Sequence, residues 1–300
     1  GTNGGPAATA DSLWRSDNGG QTWHRFTLSL PANPYGMIPS VTALVVDPNQ
    51  PGILYVGTDG QGVYRFDEGR NRFDLIGGVS LYNAHVNGLV VGPDSRIYAL
   101  TSDGLFVSRG YAWQKIETLP ELAVSLAVAP TDSQALYAGG TSTGAYRATD
   151  GGRTWERISN GLEMMPGVAL RVTALAVDDH NPAHVVAATA YGIGSQLARG
   201  GIYESTDAGL NWTKLGDANG VVVSLTINQG MVYAATANGL VRYGKLAQSA
   251  PTIPLPDLRP LANPTGMQVL ILVLTLALAG LALAGRTEWV ARRRSQVTAS

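Results

Sequence analysis

Four histidines and a scatter of carboxylates are the side chains in this sequence best suited to acid–base or metal chemistry. Only His180 and His184 lie close together, beside Asp178 and Asp179. Imidazole and carboxylate groups bind zinc in many proteins, but no convincing third ligand is evident at this position. We therefore favour a polar turn with one histidine at the start of a strand, and we predict no resident metal and no cofactor.

The composition excludes several other chemistries. The 300 residues include no Cys, so the chain has no disulfide, thiolate zinc site or cysteine nucleophile. The net charge is −1, which is not the balance of a polybasic nucleic-acid binder, and we predict no nucleic-acid partner. Apolar residues make up 45% of the chain and glycines number 37, which suits a packed core with many tight turns.

A recurring turn is the most distinctive motif. It reads SDNGGQTW at 16–23, ATDGGRTW at 148–155 and STDAGLNW at 205–212. A short Asp or Asn side chain accepts backbone N–H groups within its own turn, Gly supplies positive φ, and Trp covers the turn with an apolar face. Metal binding or catalysis is the alternative, but we interpret these residues as structural. They are Ser16, Asn18, Gly20, Trp23, Asp150, Gly152, Trp155, Ser205, Asp207, Gly209 and Trp212.

These turns belong to a repeat of blade length. The leucines at 44, 89, 126, 175 and 225 recur every 37 to 50 residues, which is the period of a propeller blade. Each repeat holds four short runs rich in β-branched and aromatic residues and bounded by Gly, Asn, Asp or Pro. The first run is almost continuously apolar, as expected of an inner strand buried on both faces.

The predicted strands fall into four series. First strands are predicted at 41–46, 86–91, 123–128, 172–177 and 222–227. Second strands are predicted at 53–56, 96–100, 135–138, 184–188 and 231–235. Third strands are predicted at 12–15, 62–65, 104–107, 144–147, 201–204 and 239–242. Fourth strands are predicted at 23–26, 73–76, 113–116, 155–158 and 212–215.

The strand count predicts an all-β fold, a β-propeller of four-stranded blades. Because the third series has one member more than the first, the sequence opens in the middle of a blade. We expect six blades, with the first completed by residues upstream of Gly1. A seventh blade, or five blades with 21–26 closing the last one, are the alternatives.

The turn motif resembles the Asp box, or BNR repeat, S-x-D-x-G-x-T-W, and the resemblance extends over residues 12–243. Asp-box propellers include sialidases, sortilin-type receptors, xyloglucan-type glycosidases and photosystem II assembly factors. In this repeat family the boxes lie on the face away from the usual active site. The resemblance therefore implies that function resides on the opposite loops.

Those loops do not carry the residue pattern of a glycosidase or sialidase active site. The arginine triad and the Phe/Tyr-Arg-Ile-Pro segment of sialidases have no counterpart that we can find, and glycosidases need two carboxylates across a cleft. The acidic candidates do not pair obviously; they are Asp59, Glu117, Glu121, Glu163 and Asp217. We predict no catalytic residue, and a diverged sialidase-like glycoside hydrolase is the alternative.

The same loops carry apolar and aromatic residues suited to protein contacts. We predict that a partner protein contacts Tyr35, Met37, Met164, Met165 and Tyr191. Ile38, Leu81, Tyr82 and Ile193 lie on the same loops. Alternatively, such residues plug the mouth of the central channel.

The C-terminal part changes character. After a propeller over 1–246, five prolines in 247–265 predict an extended stalk, and 266–285 runs without a charge for the length of a transmembrane helix. Arginines in 286–300 predict a cytoplasmic tail. Small residues that let helices pack closely are Ala277, Gly280 and Ala284.

These features predict a single-pass protein of the plasma membrane, or of an equivalent energy-transducing membrane, with its propeller on the periplasmic or extracellular side. We expect a non-catalytic accessory, assembly or scaffold subunit whose partners are other subunits of a membrane protein complex, with lipid contacted through one helix. An extracytoplasmic receptor or glycan-binding module is a further alternative.

Overall fold

The computed structural model describes most of the predicted propeller. Its described residues are 12–15, 22, 24–27, 30–32, 36, 38–77, 79–110, 112–228, 230–236 and 238–244. The predicted stalk, transmembrane helix and tail lie outside these residues, together with Ala277, Gly280 and Ala284. So do Tyr35 and Met37, and Ser16, Asn18, Gly20 and Trp23 of the first Asp box.

The described strands form antiparallel sheets in chain order, which we call blades I to VI. Blade I pairs β1 (Ser12–Arg15) with β2 (His24–Thr27). Blade II contains β3 (Val41–Val46), β4 (Ile53–Gln61), β5 (Val63–Asp67) and β6 (Arg72–Leu75). Blade III contains β7 (Tyr82–Val91), β8 (Ile97–Thr101), β9 (Gly104–Arg109) and β10 (Ala112–Lys115).

The later blades repeat this order. Blade IV contains β11 (Ala123–Ala129), β12 (Asp132–Gly140), β13 (Ala145–Ala148) and β14 (Glu156–Arg157). Blade V contains β15 (Ala169–Val177), β16 (Val185–Ile193), β17 (Gln196–Ser205) and β18 (Thr213–Asp217). Blade VI contains β19 (Val222–Asn228), β20 (Met231–Thr236) and β21 (Gly239–Tyr243). A short 3₁₀ turn, Val79–Leu81, precedes β7.

The all-β prediction and the blade-by-blade order of strands are confirmed. Within the described residues, β21 pairs with β20 and β2 pairs with β1, so 24–27 does not close the last sheet. That closure was the basis of the five-bladed alternative. Within the same residues, no helix is long and apolar enough to cross a bilayer.

The hydrophobic core lies between neighbouring blades. One cluster joins blades II and III around Val86, another joins III and IV around Leu136, and others join IV to V around Leu170 and V to VI around Val222. The inner strands β3, β7, β11, β15 and β19 each pack against the next in the series. The strands β7, β11 and β15 are therefore covered on both faces by neighbouring inner strands, which explains their apolar sequences.

Every inner strand has a register shift at the same place. The shifts lie between Val41 and Ala43, Val86 and Gly88, Ala123 and Ser125, Val172 and Ala174, and Val222 and Ser224. A bulge bends a strand and increases its twist, and its repetition at one rim is a regular feature of this ring.

Blades are also linked by backbone pairing at that rim. The end of β4 pairs with the start of β7, at Asp59 with His85 and Gln61 with Tyr82, so blades II and III form one continuous sheet. Thr143, in the β12–β13 turn, forms a parallel bridge with Leu170 of β15. The turns between second and third strands are thus anchored to the following blade.

Candidate functional site

The Asp-box turns satisfy their own hydrogen bonds. Asp150 accepts the N–H groups of Arg153 and Thr154 and the Thr154 hydroxyl. Asp207 accepts from the Asn211 side chain and backbone and from Ser205 Oγ. Hydrogen bonds from Asn211 and then Ser205 lower the pKa of Asp207 to about 2. A carboxylate held in this way is a poor proton donor.

The Asp-box tryptophan connects one blade to the previous one. Trp212 Nε1 of blade V donates to the Ile158 carbonyl of blade IV at 2.6 Å, and its ring is 5% exposed. Trp113 Nε1 of blade III, which lacks a full Asp-box turn, donates to the Ile76 carbonyl of blade II, also at 2.6 Å. The Trp212 contact gives the blade V box a structural role between blades, which the sequence motif alone does not reveal.

Gly209 shows why the box needs glycine. Its φ is +88°, and a Cβ at this position would stand 2.5 Å from Ile158 Cδ1 of the preceding blade. Gly152 has the equivalent conformation, with φ +85°. The turn therefore requires glycine for its backbone and for the close approach of the preceding blade.

We call the opposite end of the blades the loop face. It consists of the connections from each fourth strand to the next first strand, and of the turns between second and third strands. Nine large apolar side chains in the described part of the chain are exposed, and seven of them lie on the loop face. They are Ile38, Tyr82, Leu122, Met164, Met165, Ile193 and Leu197. Leu75 lies on an outer strand and Leu210 on an Asp-box turn.

The 158–168 connection, which we call the methionine loop, presents two of these side chains. Met164 is 51% exposed and Met165 is 42% exposed. Arg157 Nη2 lies 3.5 Å from Met164 Sδ, and the Val168 N–H donates to the Met165 carbonyl. Both methionines are thus presented from a loop with defined contacts.

A long hairpin stands beside the methionine loop. Beyond the register shift at Ala188–Ala190, β16 and β17 continue to pair as far as Ile193 and Gln196. This hairpin arm exposes Ile193 by 59% and Leu197 by 39%. Met164, Met165, Ile193 and Leu197 form what we call the apolar patch.

Tyr191 links the arm to the loop. It is 5% exposed, and its hydroxyl donates to the Glu163 carbonyl at 3.1 Å. Burial, with the neighbouring Tyr203 and Glu163, raises the pKa of Tyr191 to about 12, so the phenol remains a donor. Tyr191 therefore offers a partner little surface and instead holds the two halves of the patch together. Leu81 is also fully buried, in the cluster between blades II and III.

The acidic residues of the loop face that the sequence offered as catalytic candidates each have a local partner. Asp59 lies 2.7 Å from His85 Nδ1, and Glu117 lies 3.4 Å from Lys115 Nζ. Lys214 Nζ lies 3.1 Å from Glu163 and 2.8 Å from Asp217. The contacts of Lys214 lie beside the apolar patch, because Glu163 belongs to the methionine loop.

In blade IV, the Glu121 carboxylate takes the place of a threonine side chain that blades II, III, V and VI contain. In blades II, III, V and VI a buried Thr of the second strand donates its hydroxyl to the carbonyl of a Gly in or next to the third strand; these are Thr58, Thr101, Thr189 and Thr236. Blade IV has Gly140 at this position. There the Glu121 carboxylate accepts from the side chains of Thr141, Ser142 and Thr143 and from two backbone N–H groups.

We expect this carboxylate to stabilise blade IV in a pH-dependent way. Burial alone would raise its pKa, but the hydrogen bonds from Thr143, Ser142 and Thr141 lower it from 4.5 to about 2. The stabilisation is therefore present above pH 4.5 and is lost as pH falls towards 2. Glu121→Gln should reduce the free energy of unfolding by about 1 kcal/mol at pH 7, after allowance for solvent screening.

Urea titrations of both proteins at pH 7 and pH 3 measure this effect. The difference in free energy of unfolding between wild type and variant should be smaller at the lower pH. An equal difference in free energy of unfolding at both pH values would contradict the role assigned to Glu121.

The histidine turn has the contacts of a polar turn. His184 Nδ1 lies 3.1 Å from Asp178 and its Nε2 lies 3.6 Å from Glu204, while His180 is 65% exposed. Burial would raise the pKa of Asp178, but the His180 N–H and His184 lower it. Within the described residues, no cluster of three or more His, Asp or Glu side chains could hold a metal ion.

Sequence reasoning missed the hairpin arm and the exposed Leu122 and Leu197. The interval between the predicted second strand at 184–188 and third strand at 201–204 is far longer than the other second-to-third connections. That length was the available signal. The blade IV exception at Gly140 was also visible, because Thr occupies the equivalent position in four other repeats.

Comparisons with known proteins agree with this architecture. The BNR/Asp-box repeat family model matches residues 14–25. No curated protein sequence matches the chain. Among solved structures, YCF48 bound to D1 peptide is 18% identical, with a TM-score of 0.54, and the match covers 80% of this chain and 74% of that one.

Two further structures are larger proteins. An ancestral GH74 enzyme is 22% identical, with a TM-score of 0.53 over 70% of this chain and 29% of that one. The extracellular domain of a putative one-component system from B. thetaiotaomicron is 15% identical, with a TM-score of 0.53 over 79% of this chain and 32% of that one. This chain thus spans about a third of their length. At these identities the likeness concerns the fold, and the chain is a β-propeller that carries a BNR/Asp-box repeat.

Proposed function

We propose that this chain is a non-catalytic propeller that binds a partner protein through its loop face. The observation that carries the proposal is the concentration of exposed apolar side chains there, seven of nine in the described part of the chain. Scattered single apolar residues are ordinary on a protein surface, but a group on one face marks an interaction site.

The chemistry of the apolar patch favours a protein partner. Methionine side chains adapt their shape to the surface that they contact, and Ile193 and Leu197 add rigid branched groups. The ion pairs of Lys214 with Glu163 and Asp217 supply the polar rim that surrounds the apolar centre of a typical interface. Glycan sites, in contrast, use exposed aromatic rings; the four side chains of the apolar patch are not aromatic, and Tyr191 beside them is buried.

A role without catalysis is part of the proposal. Glu121, with its pKa lowered to about 2, is unsuited to act as a general acid. The likeness to an ancestral GH74 enzyme concerns the fold at 22% identity, and folds of this kind serve many functions. YCF48 bound to D1 peptide supports the proposal, since a propeller of similar fold there binds a peptide.

The proposed setting is a membrane protein complex. The uncharged run 266–285, the basic residues that follow it and the Pro-rich 247–265 favour a single-pass anchor with the propeller on the periplasmic or extracellular side. There the protein would act as an accessory, assembly or scaffold subunit. A receptor module is a second candidate, supported by the fold of a putative one-component system's extracellular domain.

Charge substitutions in the apolar patch test the proposal. The double variant Met164→Asp/Met165→Asp should lose the chains that co-purify with the wild-type protein from detergent-solubilised membranes. Burying two carboxylates in an apolar contact without a partner costs several kcal/mol, so a loss of more than about a hundredfold in affinity is expected.

The matched control is Leu210→Asp. Leu210 is 44% exposed, like Met165, but lies on an Asp-box turn at the opposite end of the blades. The control should keep the same co-purifying chains. Retention of those chains by the methionine variant would refute docking at this face.

A further inference from the structure

A cleft of about 670 Å³ lies at the Asp-box end of the propeller, away from the loop face. It extends across blades II, III and IV. Its walls include Arg65 of β5, Arg96 beside β8, Arg109 at the end of β9 and Arg153 of the blade IV Asp box. Four guanidinium groups therefore surround one opening on a chain whose net charge is −1.

The cleft exists because blade III lacks a full Asp-box turn. Its third and fourth strands are joined by residues 110–111 alone, whereas residues 149–155 join them in blade IV and 206–212 in blade V. The shortened turn of blade III leaves open the space that the box fills in the neighbouring blade. The shortened turn thus leaves a recess beside the full Asp box of blade IV.

Positive charge remains uncompensated inside it. Asp94 is engaged by Arg96, whose Nε lies at 2.5 Å, and Asp150 is engaged by its own turn. Arg109 and Arg153 are exposed, and their guanidinium groups have no hydrogen bond or ion pair to any residue that the structure describes. The lining holds four arginines and two aspartates, and Arg65 also lies 3.8 Å from Asp67, so the positive charge without a counter-charge is that of Arg109 and Arg153.

We propose that this cleft binds an acidic peptide segment of a partner protein. A guanidinium group binds a carboxylate through two parallel hydrogen bonds, and two free guanidinium groups in one recess suit neighbouring Asp or Glu side chains. The side-chain amide of Gln134, also in the lining, can pair with peptide backbone. The volume lies within the range of ligand sites.

The lining argues against nucleic acid and glycan. Both are commonly bound by stacking a base or sugar on an exposed ring. Among the described lining residues, Tyr55 is the aromatic side chain, and it is 5% exposed. Its hydroxyl donates a hydrogen bond to Asp47 at 3.1 Å. No ring face is therefore available there for stacking. Because the cleft and the loop face are at opposite ends of the blades, this site is independent of the function proposed above.

Binding of a short labelled peptide rich in Glu and Asp tests the proposal. Fluorescence anisotropy with the full chain should show binding that weakens with added salt, and the Gln/Asn counterpart of the peptide should not bind. Arg109→Gln/Arg153→Gln should weaken binding by roughly a hundredfold, about tenfold for each arginine. Arg199→Gln, an exposed arginine on the hairpin arm, should leave binding unchanged.

Three results would overturn the proposal. These are absence of peptide binding, equal binding by the wild type and the double arginine variant, and tighter arginine-dependent binding of a heparin oligosaccharide or a single-stranded oligonucleotide. Thermal unfolding of each variant, expected to match the wild type, separates loss of the site from loss of the fold.

Discussion

Trp212→Phe is expected to lower the free energy of unfolding by about 1–3 kcal/mol, whereas Trp155→Phe should change it much less. Both tryptophans end an Asp box. Trp212 Nε1 donates to the Ile158 carbonyl of the preceding blade, and phenylalanine would leave that carbonyl buried without a partner. Trp155 Nε1 has no hydrogen-bond partner among the described residues, so its replacement removes none.

Trp212→Ala should have a larger effect, about 3–5 kcal/mol, because it also leaves a cavity between blades IV and V. Urea unfolding followed by circular dichroism measures all three variants without relying on tryptophan fluorescence. Equal losses for the two phenylalanine variants would show that the hydrogen bond between blades contributes nothing to stability.

Gly139→Ala is expected to destabilise the propeller by about 3 kcal/mol, at the upper end of the usual cost of overpacking. Gly139 is buried in β12, where a Cβ atom would overlap Ser125 Oγ and the Val172 carbonyl oxygen of the next blade. Ser125 Oγ already donates to that carbonyl at 2.8 Å. The Val172 carbonyl is backbone, and the Ser125 hydroxyl can move aside only by giving up its bond to that carbonyl.

Gly216→Ala is the control for this steric argument. Gly216 lies in the outer strand β18, and an added Cβ would have its nearest contact at 3.6 Å, with the Tyr243 ring. Its melting temperature should stay near that of the wild type, while that of Gly139→Ala falls by several degrees. Similar melting temperatures would mean that blades IV and V can separate at little cost.

The strand order of this fold follows from local sequence. Leucines such as Leu44 and Leu126 recur at blade spacing, each within a run that reads as an inner strand, and each run is a strand in the structure. Short β-branched and aromatic segments between Gly and Asp turns specify the other strands equally well. Local propensity and the repeat period agree at almost every element, which makes the architecture predictable.

Contacts between blades did not follow from sequence. The bond from Trp212 to Ile158 joins residues that are close only after two blades have packed. The hairpin arm arises because β16 and β17 keep pairing beyond a register shift, which a search for turn residues does not detect. The arginine cleft results from a turn that is shortened in one repeat, and its consequence appears only beside the full turn of the next blade.

Site-specific photo-crosslinking in intact membranes tests docking on the loop face most directly. A photoreactive side chain replaces Ile193 on the hairpin arm in one protein, and Leu210 on the opposite Asp-box turn in a second protein; they are 59% and 44% exposed. We expect irradiation to join position 193, but not position 210, to one other polypeptide in a discrete product. Crosslinks from position 210 alone, or products at neither position, would contradict the account.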